Sequence, residues 1–217
     1  MPSKSPAASH PQQVTRSKQA LLTERLDANP YLCEFRQHNG SFSSSSWEER
    51  PKLVRKYAWA VPNAEAILKI AAVGPIVEIG AGSGYWARQV AEAGGDIRAF
   101  DNAVGVPREP GYGPGYGPVG THFPVEEGGV EKARSWCDRA LFLCWPPYGT
   151  SMADDALAAY EESGGKCFIY IGEDSMGCTG DDAFHARLKA PEWVLTDRVH
   201  IPQWQGIHDT LCIYRRA

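Results

Sequence analysis

Val77-Glu78-Ile79-Gly80-Ala81-Gly82-Ser83-Gly84 joins a short β-branched run to three glycines at alternate positions. Residues 76–79 read as a buried strand, and 85–93 read as the helix that follows. Closely spaced glycines at that junction let a ligand come against the backbone and sit at the helix N-terminus. Two familiar phosphate-binding patterns fail here. A dinucleotide fingerprint requires a third glycine where Tyr85 stands, and no Gly-Lys-Ser/Thr follows for a phosphate-cradling loop. A second short apolar run, 97–100, ends at Asp101, about twenty residues on, where a carboxylate is placed to accept both hydroxyls of a ribose.

Outward from this core the chain alternates strand and helix. Strands are expected at 122–125, 139–144, 167–171, 193–200 and 209–215, and helices at 130–137, 152–162 and 181–189. Continuous apolar strands separated by helices imply a parallel sheet covered on both faces. The last two strands are joined by IPQWQGIHD, too short for a crossover, so they must run antiparallel. The expectation is a seven-stranded, mostly parallel Rossmann-like α/β sheet over 73–217. Before it, 1–20 reads as a polar disordered tail and 21–72 as a helical lid. The lid comprises a short helix at 19–26, a Ser-rich loop at 40–46, a helix at 47–59 capped by Ser46, and a helix at 63–72 capped by Asn63. Residues 105–120, GVPREPGYGPGYGPVG, are too rich in Gly and Pro for regular structure, and read equally as a substrate cover or as an insertion without function.

Composition restricts the class. The chain has 217 residues, a formal net charge of −4 and 43% hydrophobic residues, enough for one sizeable core. Residues 1–30 are net positive and the rest is acidic, which disfavours nucleic acid as a partner. No apolar run reaches the roughly 18 residues of a membrane helix, and the first residues lack a secretory apolar stretch. The six cysteines form no C-x-x-C pair, so reduced thiols, a cytoplasmic location and no metal site are expected.

Glu78 at the end of the first strand, the G-x-G-x-G turn, Asp101 and the closing hairpin together resemble the class I S-adenosylmethionine-dependent methyltransferases over about residues 58–216. The resemblance implies S-adenosylmethionine as cofactor, with Gly80 and Gly82 against its methionine part and Glu78 organising that loop. It places Asp101 on the ribose, Asn102 at the adenine edge and Tyr85 near the sulfonium, although Tyr85 reads equally as an ordinary aromatic at a helix start. Trp59, in the aromatic stretch 57–63, is expected to cover the site. Trp145-Pro146-Pro147-Tyr148, after the fourth strand, looks like the Asp/Asn/Ser-Pro-Pro-aromatic motif of amino-group methyltransferases. In that motif the first side chain and a proline carbonyl accept from the target nitrogen, and the aromatic ring stacks on it. Trp145 departs from it, because an indole only donates. It is assigned beside the cofactor, with Pro146, Pro147, Tyr148, Trp59 and Trp204 towards substrate. Tyr148, Glu173 and His208 are the catalytic candidates, Glu173 or His208 as base. The expected activity is methylation of a small molecule at nitrogen. The alternatives are N-methylation of a nucleic acid base or protein side chain, and a cofactor-binding module without catalysis.

Overall fold

The computed structural model describes residues 11–38, 45–104, 106 and 120–217. The expected tail lies outside these residues as far as position 10, and so does most of the Gly/Pro/Tyr loop at 105–120.

The N-terminal region holds four helices: α1 (Pro11–Asp27), α2 (Pro30–His38), α3 (Ser45–Lys56) and α4 (Ala64–Ala71). Helix α1 begins at Pro11, eight residues before the expected start at 19, with proline in the first turn, where N–H groups have no intrahelical acceptor. Helix α2 was not anticipated. Asn29 caps it, Oδ1 accepting from the Leu32 N–H at 3.0 Å, and Pro30 opens it. Helix α3 starts at Ser45, so Ser46 lies within it rather than capping it. Asn63 caps α4 as expected, accepting from the Ala66 N–H.

The remainder runs β1 (Ile76–Ile79), α5 (Tyr85–Glu92), β2 (Ile97–Asp101), β3 (Val125–Glu127), α6 (Glu131–Ser135), β4 (Ala140–Cys144), α7 (Met152–Glu162), β5 (Cys167–Gly172), α8 (Asp182–Leu188), β6 (Trp193–His200) and β7 (Thr210–Arg216). The strands form one sheet in the order β3-β2-β1-β4-β5-β7-β6. The first five are parallel, and β7 is antiparallel to both β5 and β6. This is the Rossmann-like sheet with a closing antiparallel hairpin that the sequence implied. Only β3 is misplaced, three residues later than expected, as a short edge strand carrying Glu126 and Glu127.

Alternation along the strands divides two cores. Ile76, Phe142 and Ile169 face α1–α5, whereas Val77, Leu141 and Phe168 face α6–α8. Tyr31 and Leu32 of α2 are fully buried in the first core, so α2 is part of the packed body. Strand order reverses between β1 and β4, and the crevice beyond the carboxyl ends of such strands is where ligands bind in open α/β sheets. No helix among the described residues is long and apolar enough to cross a membrane.

Candidate functional site

At the end of β1 the chain turns through Gly80, Gly82 and Gly84, with φ of 74°, 58° and 74°, a region that L side chains rarely adopt. At Gly84 space restricts as well as torsion, since a Cβ there would lie 2.8 Å from the Phe123 Cβ, whereas at Gly80 the only close atom is the movable Met152 Cε at 2.9 Å. Asp101 fixes this turn. Its Oδ2 accepts from the Gly82 N–H and its Oδ1 from the Ala103 N–H, both at 2.8 Å. One carboxylate thereby joins the glycine turn to the loop after β2.

Glu78 is buried on the same face of β1 as Ile76, and its Oε2 has no hydrogen-bond partner among the described residues. Burial first, and the neighbouring Asp101 charge second, push its carboxyl up to about 8. A buried carboxyl oxygen without a partner is uncommon in folded proteins. Here it lies in the wall of a cavity of about 810 Å³, lined also by Gly80, Gly82, Asp101 and Asn102. That volume is of the size that encloses small organic ligands.

A second part of the cavity lining begins at Trp145, the one non-glycine residue at positive φ (53°) among the described residues. Its backbone N–H reaches the Ile171 carbonyl at 2.7 Å, and its indole N–H donates to Asp209 Oδ2 at 2.7 Å. Asp209 is buried, and burial pushes its carboxyl up to about 7 against the opposing effect of the Trp145 hydrogen bond. The Trp145 ring stacks on Trp59, centroids 5.5 Å apart and planes 11° from parallel. The Arg50 guanidinium lies 5.7 Å from the Trp59 ring and 5.4 Å from that of Trp145. Pro146, Pro147 and Tyr148 continue this wall, and Tyr148, 66% exposed, forms the rim. Each proline carbonyl already accepts one bond, Pro146 from the Gly180 N–H and Pro147 from the Thr150 hydroxyl.

The structure thus brings Glu78, Gly80, Gly82, Tyr85, Asp101, Asn102, Trp59, Trp145, Pro146, Pro147 and Tyr148 to one cavity. Tyr85 does so as a buried wall residue. Its hydroxyl donates to Asn29 Oδ1 and accepts from the Tyr31 N–H, both at 3.2 Å, so its polar end serves the start of α2.

Three expected site residues are absent from the cavity lining. The Glu173 carboxylate accepts from the Cys178 N–H and thiol and from the His208 N–H. Burial raises this carboxyl, but those donors outweigh it and hold it below the usual range, which leaves a poor base with its oxygens occupied. The His208 side chain is 81% exposed and stands 3.7 Å from Glu173. Trp204 is buried against Phe35, with its indole N–H on the Tyr31 hydroxyl, so it anchors α2. The lining residues missed in the sequence are chiefly Arg50 and Met152. Arg50 is one cation in the helix run WEERPKLVRK, and only tertiary packing distinguishes it from its neighbours. Among the described residues no group of three His, Cys, Asp or Glu is placed to hold a metal ion.

No protein-family model matches the chain, and no curated protein matches it in sequence. Among solved structures it is similar to magnesium protoporphyrin IX methyltransferase from Synechocystis with bound SAM (9% identity, 98% of this chain and 100% of that chain, TM-score 0.46). It is also similar to human N-acetylserotonin methyltransferase in complex with SAM (12% identity, 96% and 68%, TM-score 0.41). A third is the Burkholderia thailandensis 1,6-didemethyltoxoflavin-N1-methyltransferase with its named ligand and S-adenosylhomocysteine (14% identity, 100% and 94%, TM-score 0.40).

Proposed function

We propose that this chain is an S-adenosylmethionine-dependent methyltransferase acting on a small molecule. The observation that carries the reading is the unpartnered Glu78 Oε2 in the cavity wall, one residue before the glycine turn that Asp101 holds. An ammonium donor satisfies that oxygen, a backbone without side chains admits the rest of an amino-acid tail, and Asp101 and Asn102 line the stretch where a nucleoside belongs. The residues therefore fit the cofactor. When bound, it supplies a methyl group made electrophilic by a sulfonium.

The chain's own contribution is to bind, orient and exclude water. Glu78 takes the α-ammonium of the donor. Gly80 and Gly82 let its methionine part lie on the backbone, and Asp101 accepts from the ribose. The Trp59–Trp145 stack and the rim at Tyr148 hold the acceptor. Nitrogen is taken as the acceptor atom because the Pro-Pro-Tyr turn resembles that of amino-group methyltransferases, and each proline carbonyl keeps one lone pair for an N–H.

The test is calorimetry with S-adenosylhomocysteine at pH 7 in buffers of different ionisation heat. A Glu78 carboxyl that is protonated in the free protein must ionise to meet an ammonium, so binding should release a proton. The release should fade as pH rises past about 8 and should vanish in Glu78→Gln. Absence of binding would refute the reading. Labelled methyl donor given to pools of nucleic acid, protein and small molecules then separates the substrate classes: label confined to macromolecules would overturn the small-molecule assignment.

A further inference from the structure

Trp145 leaves β4 in a conformation that bulky side chains rarely adopt, φ 53°, and it does so before a proline, which pushes its predecessor towards extended backbone instead. The rings of Pro146 and Pro147 fix their own φ, so the course of the chain to Tyr148 at the cavity rim is set at Trp145. Such a backbone persists only where its surroundings over-determine it. Three contacts do so here. The Ile171 carbonyl holds the Trp145 N–H, Trp59 stacks on its ring, and Asp209, 64 positions further along the chain, accepts from its indole N–H. A stack fixes the plane of a ring but lets it turn within that plane, and the in-plane N–H bond to Asp209 removes that freedom. The choice of a carboxyl for this task is unusual. Asp209 is 2% exposed, its Oδ1 has no hydrogen-bond partner among the described residues, and the charges of Glu173 and Arg50 act on it with opposite sign. A carboxyl is costly to bury in such a setting, whereas any backbone carbonyl would satisfy an indole N–H.

We propose that Asp209 is a positioning residue for the acceptor: from outside the cavity lining it fixes the Trp145 ring, and with it the strained turn that carries Pro146, Pro147 and Tyr148 along the cavity. This rests on the methyltransferase reading of the same cavity and extends its machinery to a residue behind the wall. The donor side has its own support, because Asp101 latches the glycine turn to the loop after β2 without recourse to Asp209. Loss of Asp209 therefore reaches the acceptor and spares the donor. Preorganisation of this kind acts on orientation, so its loss shows in turnover before it shows in donor affinity.

The test compares the full chain with Asp209→Leu, which removes the accepting oxygens, and Asp209→Asn, which keeps one. NMR on isotope-labelled tryptophan, with the Trp145 signal assigned by its loss in Trp145→Phe, reads the bond itself. The Trp145 indole N–H should exchange with solvent about tenfold or more faster in Asp209→Leu, and Asp209→Asn should regain most of the protection. Affinity for S-adenosylhomocysteine, by calorimetry, should stay within about threefold throughout. Transfer of labelled methyl from S-adenosylmethionine to a deproteinised cell extract should fall about tenfold or more in Asp209→Leu at unchanged KM for the donor, and should recover in Asp209→Asn. Full transfer in Asp209→Leu, indole protection regained by Asp209→Asn without transfer, or donor affinity lost in step with transfer would each overturn the proposal. Should Asp209→Leu fail to fold, Trp145→Phe removes the same bond from its other end and is held to the same transfer and affinity outcomes. A wild type that binds S-adenosylhomocysteine but labels nothing in the extract overturns the positioning role, whereas one that binds no S-adenosylhomocysteine fails the methyltransferase reading itself.

Discussion

Removing the Asp101 carboxylate takes away two backbone hydrogen bonds at once, those from Gly82 and Ala103, and leaves both donors without a partner near a buried cavity. Asp101→Ala should therefore cost about 2 kcal/mol of stability as well as most of the affinity for S-adenosylhomocysteine. Asp101→Asn keeps the shape but can accept at one oxygen only, and should fall between the two. Denaturant titration and calorimetry on the same preparations check this, and undiminished stability in Asp101→Ala would show that the latch contributes nothing. At the same scale Glu173, His208 and Trp204, singled out in the sequence, lie outside the cavity lining. Their residue types suited chemistry, but a side chain's hydrogen-bond partners are decided by packing, and these three are committed to loop 173–178, solvent and α2 respectively.

Elements with a strong local signal were legible. The strands β1, β4 and β5 are buried runs, apolar but for Glu78 and closed by turn formers, and their hydrophobicity places them. The three-residue edge strand β3, paired with β2, carries no such signal, because a half-exposed edge holding two glutamates has no apolar period. Helix α2 had one signal that went unused, Asn29-Pro30, a cap followed by proline. That helix start is unusually well satisfied: Asn29 takes the Leu32 N–H and Tyr85 takes the Tyr31 N–H. Asn29→Ala should cost about 1 kcal/mol, and hydrogen exchange should quicken first in the amides of Tyr31 and Leu32. Unchanged protection there would disprove the capping role. Because Tyr85 also lines the cavity, the wall contributed by residues 21–72 depends on this junction for its placement.

For the whole molecule, two buried carboxyls set a pH dependence opposite to the usual one. Glu78 and Asp209 are pushed up to about 8 and about 7, so the folded chain holds protons that the unfolded chain has already released above the ordinary carboxylate range. Stability from these groups is complete at low pH and is lost as pH rises through the two raised values. The ligand-free protein should grow less stable from about pH 5 to about pH 8, and Glu78→Gln with Asp209→Asn should flatten that slope. Chemical denaturation at three pH values measures it, and a slope unaltered by the double variant would reject the assignment. The order of the sheet has a consequence for synthesis on the ribosome. Strand β7 follows β6 in sequence yet sits between β5 and β6, and among the described residues β6 pairs with no other strand. While translation proceeds, β6 emerges before its strand partner and β5 keeps a bare edge, so that margin of the sheet zips shut only once β7 has followed.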